Sequence, residues 1–142
     1  METLDMTELL LGAYKLADKI NESEEVKRYL ECQRRLQEDH EAQRIIKEFQ
    51  QIKDRYEEAK RFGIFHPNYH EAKETAFRYQ KEMRNHATIR AFLKAEEELD
   101  SLLHEVSLMI AQAVSDSIKV PANDSEPGVK KARRQCGGGC GS

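Results

Sequence analysis

At 142 residues, the chain has room for one domain of ordinary size and little more. Charged residues are 35% of it and the hydrophobic set 39%, Trp is absent, and the formal net charge is −3. That net charge is too small to imply a nucleic-acid or membrane partner for the whole domain, and the composition confines any core to narrow stripes on polar helices.

The Glu/Lys/Arg/Gln/Leu/Ala-rich composition favours helix, because these straight side chains lose little rotamer freedom there. The first predicted helix runs from about Met6 to Ile20, with Leu9, Leu10, Ala13, Leu16, Ala17 and Ile20 at helical spacing. Asn21-Glu22-Ser23-Glu24 offers a break, with Asn21 and Glu24 spaced as a capping box. The second helix uses Val26, Tyr29, Leu30 and Leu36 and ends near Gln37. Asp39 is the expected cap of a third, which repeats Ala42, Ile45, Ile46, Phe49, Ile52, Tyr56 and Ala59 and closes at Phe62-Gly63. Gly63 suits the left-handed position that ends a helix.

Ile64-Phe65-His66-Pro67 reads as a short apolar connection, with Pro67 in the first turn of a fourth helix carrying Tyr69, Ala72, Ala76, Tyr79 and Met83. Asn85 or Thr88 restarts the chain into the fifth. There Ile89, Phe92, Glu96, Leu99, Leu103, Val106, Ile110 and Ala113 alternate by three and four as a coiled-coil seam does, flanked by Leu93, Leu102, Met109 and Val114. From Thr88 to Ile118 such a helix would span about 46 Å at 1.5 Å per residue, against a radius of gyration near 14 Å for a compact domain of about this size. The expectation is a helix that overhangs its own bundle and pairs with a partner; the alternative is a kink that folds it back.

The predicted fold is therefore all-α, an antiparallel bundle of about five helices with a long last helix, oligomeric, over residues 1–120. Residues 121–142 read as a separate tail. Asn123-Asp124-Ser125-Glu126-Pro127-Gly128 is linker composition, Lys130, Lys131, Arg133 and Arg134 form a basic cluster, and Cys136-Gly137-Gly138-Gly139-Cys140 follows.

No apolar run approaches the roughly 20 residues that cross a bilayer, so no membrane span is expected. Met1-Glu2-Thr3-Leu4-Asp5 is acidic where a secretion signal is basic. The expected compartment is the cytoplasm, where thiols stay reduced, and the three cysteines there point to metal or redox chemistry before structural disulfides. Cys136 and Cys140, separated by glycines that permit tight turns and preceded by Lys and Arg that favour thiolate, can wrap one metal centre. Soft thiolates suit zinc or an iron–sulfur cluster. A closed site needs four ligands and the tail supplies two. Cys32 is a candidate third, although it lies in a predicted helix where a free thiol is as readily packed. The others would come from another subunit or a second copy, and a typical span of roughly 23 Å from Lys119 to Cys136 permits that. An uncommitted tail is the alternative.

His66 and His70 are four apart, but Pro67 separates them and no Glu completes a zinc-protease pattern, so capping and connection packing is the expected role. His40, His86 and His104 read as surface residues. Carboxylates such as Glu57, Glu58 and Glu96-Glu97-Glu98 are spread as helix-pairing charges, and no phosphate loop, nucleophile elbow or dinucleotide fingerprint occurs. A non-catalytic role is expected. The basic cluster could touch RNA phosphates, though no interleaved aromatics stack bases.

Cys32-Gln33-Arg34-Arg35-Leu36-Gln37-Glu38-Asp39-His40-Glu41-Ala42, Tyr56-Glu57-Glu58-Ala59-Lys60-Arg61-Phe62-Gly63 and His66-Pro67-Asn68-Tyr69 together resemble the YlbF/YmcA family of bacterial helical proteins. Ala95-Glu96-Glu97-Glu98-Leu99, Glu105-Val106-Ser107, Ala113-Val114-Ser115 and Ile118-Lys119-Val120-Pro121 continue the likeness, and the Cys-Gly-Gly-Gly-Cys-Gly ending is most similar to the YlbF branch. The resemblance implies a helical, oligomeric, non-catalytic subunit of a cytoplasmic complex with YmcA-like and YaaT-like partners. It implies an iron–sulfur cluster, of the 4Fe–4S type, shared among subunits, with Cys136 and Cys140 as its ligands here. It further implies assistance to ribonuclease Y in messenger-RNA processing, with effects on competence, sporulation and biofilm formation.

Overall fold

The computed structural model describes residues 5–122, so Cys136, Cys140 and the basic cluster lie outside the described residues. It contains five α-helices: α1 (Met6–Asn21), α2 (Glu24–Glu38), α3 (His40–Arg61), α4 (Tyr69–Asn85) and α5 (Ala87–Val114). The all-α expectation holds, with no strand among the described residues.

Local side-chain chemistry sets the boundaries. Asp5 caps α1, accepting from the Thr7 N–H at 2.9 Å. The Asn21–Glu24 box does not form, because α1 continues through Asn21. Ser23 caps α2 instead: its hydroxyl donates to the Ile20 carbonyl (2.6 Å) and accepts from the Val26 N–H (3.4 Å), closing one helix and opening the next. Asp39 caps α3 as expected, accepting from the Ala42 N–H at 3.0 Å. Gly63 holds φ +89°, the left-handed turn that a side chain would resist.

Pro67 precedes α4 and does not open it. The His66 N–H bonds the Gly63 carbonyl and the Tyr69 N–H bonds the His66 carbonyl, both at 3.0 Å, so these turns consume the residues before Tyr69. Asn85 remains in α4, and Thr88 lies inside α5 after an extended His86. α5 ends at Val114 with Ser115 as its cap. Its 28 residues span about 42 Å, shorter than the reach to Ile118 that the apolar pattern suggested.

The helices form two antiparallel pairs, α2 with α5 and α3 with α4, joined where both chains break. Rising numbers on one rail meet falling numbers on the other: Arg28 pairs with Glu98, Asp39 with Thr88, Glu48 with Tyr79, and Tyr56 packs on Tyr69. At the junction the Asp39 carboxylate caps α3 and also accepts from the Thr88 hydroxyl at 2.6 Å, tying α5 to the start of α3. The contact lines are built on small residues. Ala42, Ala59, Ala76, Ala95 and Ile89 are the buried hydrophobics, which lets the rails approach closely. Ring contacts flank them, Tyr29 with Phe92 (5.5 Å) and Phe49 with Tyr79 (6.4 Å). Two rails make a single layer, so larger apolar side chains keep one side in water, and a second layer is what would cover them.

Candidate assembly surface

Met6, Leu9, Leu10, Ala13, Leu16, Ala17 and Ile20 lie on one face of α1, because their spacing follows the helical repeat. In the folded chain that face stays open. α1 buries no residue, and it meets the rest of the molecule chiefly through α2. A 16-residue helix is marginal by itself in water, so α1 needs its stripe covered to be secure. Covering about 400 Å² of apolar surface would contribute roughly 10 kcal/mol before the costs of association.

The α5 seam shows the same deficit as a gradient. Ile89 is buried, Phe92, Leu99 and Val106 are half-buried, with Phe92 against Tyr29 of α2, and Leu103 and Ile110 are exposed, as is Val114 beside the seam. The register explains this. Arg28 stands opposite Glu98, so the start of α2 stands opposite residues near 102, and the last dozen residues of α5 run on for about 18 Å. The overhang that the seam predicted is present. α1 departs from that same end, which brings the two open apolar surfaces to one end of the molecule.

Other faces are committed to water. Arg34 bridges Glu31 (2.9 Å) and Glu38 (2.7 Å), and Arg35 reaches Glu31 at 2.8 Å. Hydrogen bonds from Arg34 and then Arg35 hold the Glu31 carboxyl down to about 2. Burying this network would strip four charges of solvent, so the outer face of α2 is a poor interface. Between α3 and α4, Glu48 accepts from the Tyr79 hydroxyl and from Arg44 (2.8 Å). The Tyr79 bond is the main reason that the carboxyl sits below its ordinary value and the phenol above its own.

Cys32 is a free, half-buried thiol on α2. Among the described residues no group of three or more His, Cys, Asp or Glu could hold a metal ion. His66 and His70 do not converge. His66 Nδ1 accepts from the Asn68 N–H at 3.2 Å and its ring lies 5.4 Å from Phe62, while His70 lies edge-on to Tyr69. His86 is not the surface residue its sequence context suggested. It is half-buried at the junction, with Nδ1 enclosed without a hydrogen-bond partner and Nε2 3.9 Å from Glu41. The second role of Asp39, holding Thr88 across 49 positions of sequence, also had no local signal.

A family model described as "Control of competence regulator ComK, YlbF/YmcA" matches residues 10–115, which take in most of α1 and all of α2 to α5. The chain is similar to "Regulatory protein YlbF" of Bacillus subtilis (strain 168), at 42% identity over 141 residues, covering 99% of this chain and 92% of that protein. It is also similar to a chain in the crystal structure of Bacillus subtilis RicA in complex with RicF. That match has a TM-score of 0.72 and 41% identity, and it covers 81% of this chain and 100% of the other.

Proposed function

The chain belongs to the YlbF/YmcA family, and from that premise we propose that it is a non-catalytic regulatory subunit that works by helix-mediated assembly with other subunits. The observation that carries this reading is the apolar face of α1, open within the chain and placed at the same end as the exposed last turns of α5. Its partners on this reading are YmcA-like and YaaT-like subunits, and it assembles with copies of itself when they are missing. A neighbour crystallised as a complex of RicA with RicF supports assembly between different chains. The complex acts in the cytoplasm, assisting ribonuclease Y in messenger-RNA processing and so affecting competence, sporulation and biofilm formation. The family's description as a control of a competence regulator and the relative named as a regulatory protein support the regulatory and competence parts of that reading.

Cys136 and Cys140 supply two thiolates to an iron–sulfur cluster of the 4Fe–4S type. The donor set fits only in part. Two soft thiolates suit the cluster, but four are needed and Cys32 is the one further cysteine of the chain. The remaining ligands would come from another subunit or a second copy, so Cys136 and Cys140 would help to hold a cluster shared between chains.

Two measurements test the proposal. Leu9→Asp with Leu16→Asp should abolish co-elution with a YmcA-like partner while the far-ultraviolet helix signal of α2 to α5 persists; undiminished co-elution refutes the assembly surface. Anaerobic co-expression with both partners should give a brown complex containing iron and sulfide, bleached by Cys136→Ser with Cys140→Ser. A colourless, metal-free wild-type complex removes the cluster from the proposal.

A further inference from the structure

α1 and the overhang of α5 match each other in length, register and chemistry. α1 is joined to α2 through Glu22 and Ser23 alone, and every residue of α1 except Ile20 is exposed. Its 16 residues span about 24 Å, enough to cover the roughly 18 Å of α5 that runs on past the start of α2.

We propose that α1 is a strap that swings about the Glu22–Ser23 joint onto the overhang of α5 in the same chain, extending the α2 rail. The register carries the argument. Arg28 stands opposite Glu98 and Asp39 opposite Thr88. Carried back past Glu24, that antiparallel register sets Ile20 against Val106, Leu16 against Ile110 and Ala13 against Ala113. Each match is apolar on both sides, and the opposite face of α1, with Lys15 and Asp18, stays in water. The joint can turn. The Ser23 hydroxyl holds the Ile20 carbonyl at 2.6 Å but accepts from the Val26 N–H at 3.4 Å, long for such a bond, so rotation is easiest on the α2 side.

A two-residue connection presents the α5 face to α1 at an effective concentration on the order of millimolar, so the strap outcompetes a separate chain at micromolar levels. α5 ends at Val114, so Met6, Leu9 and Leu10 reach past it and stay open as a first foothold for a partner. Closing hides the rest of the surface assigned to assembly, so a partner must displace the strap. That regulatory consequence rests on the assembly reading; the closure itself does not.

The test is disulfide trapping in the full chain, with Cys32, Cys136 and Cys140 changed to Ser so that only introduced thiols react. Under mild oxidation, Ala13→Cys with Ala113→Cys should form a bond within one chain, independent of protein concentration. It should form at least tenfold faster than in Lys15→Cys with Ala113→Cys, whose α1 thiol lies on the opposite face. Leu16→Cys with Ile110→Cys should close as well. The locked Ala13–Ala113 variant should bind a YmcA-like partner at least tenfold more weakly than the same protein after reduction. No bond, equal rates in the Lys15 control, or a bond found only between chains overturns the strap. Equal partner binding by the locked and reduced forms overturns its regulatory role. Failure of the assembly reading looks different, because wild-type chain would then not co-elute with the partner even where the bond forms within the chain.

Discussion

Ile89 is the largest of the buried hydrophobic side chains, 3% exposed in the first turn of α5, next to the junction that joins the two helix pairs. Ile89→Ala removes three carbons. At about 0.8 kcal/mol per buried CH₂ the lost transfer free energy is about 2.4 kcal/mol. A partly collapsed cavity raises the cost to about 3 kcal/mol, in the lower part of the usual range because a single-layer fold can close around the gap. Unfolding roughly 120 helical-domain residues carries an entropy near 0.25 kcal/mol/K, so the melting temperature should fall by about 12 °C. Leu103→Ala removes the same three carbons from a side chain 41% exposed in the isolated chain, and should cost about half as much there. Both are read by thermal melts followed by circular dichroism, at one fixed protomer concentration because assembly shifts the apparent stability. A drop below about 3 °C for Ile89→Ala, or equal drops for the two variants, would refute the burial argument.

Gly63→Ala finds no atom within 4 Å of the added Cβ, so its cost comes from the positive φ alone. About 1 kcal/mol of destabilisation is expected, and an unchanged denaturant midpoint would contradict it. The Glu31 carboxyl, held down to about 2 from an ordinary 4.5, contributes helix stability that is present above pH 4.5 and lost as pH falls toward 2. Carboxylate NMR should show its titration move upward in Arg34→Ala with Arg35→Ala, and high salt should weaken the effect. Glu48 pushes the Tyr79 phenol above its ordinary 10, so that contribution is present below pH 10 and lost as pH rises through the higher folded value. Phenolate absorbance in Glu48→Gln should show this titration move down; no movement would break the assignment.

Much of the candidate surface was legible because it is local. The α1 stripe and the α5 seam are periodic patterns within single helices, and a two-rail fold leaves both partly uncovered. The capping errors have a common cause. Asn21, Pro67 and Thr88 are each plausible boundary residues, and neighbouring residues did the work in two cases: Ser23 could bond both helices at once, and the turns through Gly63 and His66 consumed the residues ahead of Tyr69. Thr88 instead gave its hydroxyl to Asp39.

By itself the sequence determined the helices, their number and their apolar faces, since propensity, spacing and caps act within a few residues. The seam of α5 likewise announced a helix longer than its neighbours could cover. Only the tertiary structure decided which faces stay open, because burial depends on the rail opposite. The antiparallel register runs α5 about a dozen residues past α2, and it sets Asp39 against Thr88 where both rails break. The same pairing leaves Phe65 exposed beside a groove that residues from two helices must share. Contacts between residues dozens of positions apart leave no periodic trace in either segment, and so the molecule's open surfaces emerge only when the rails meet.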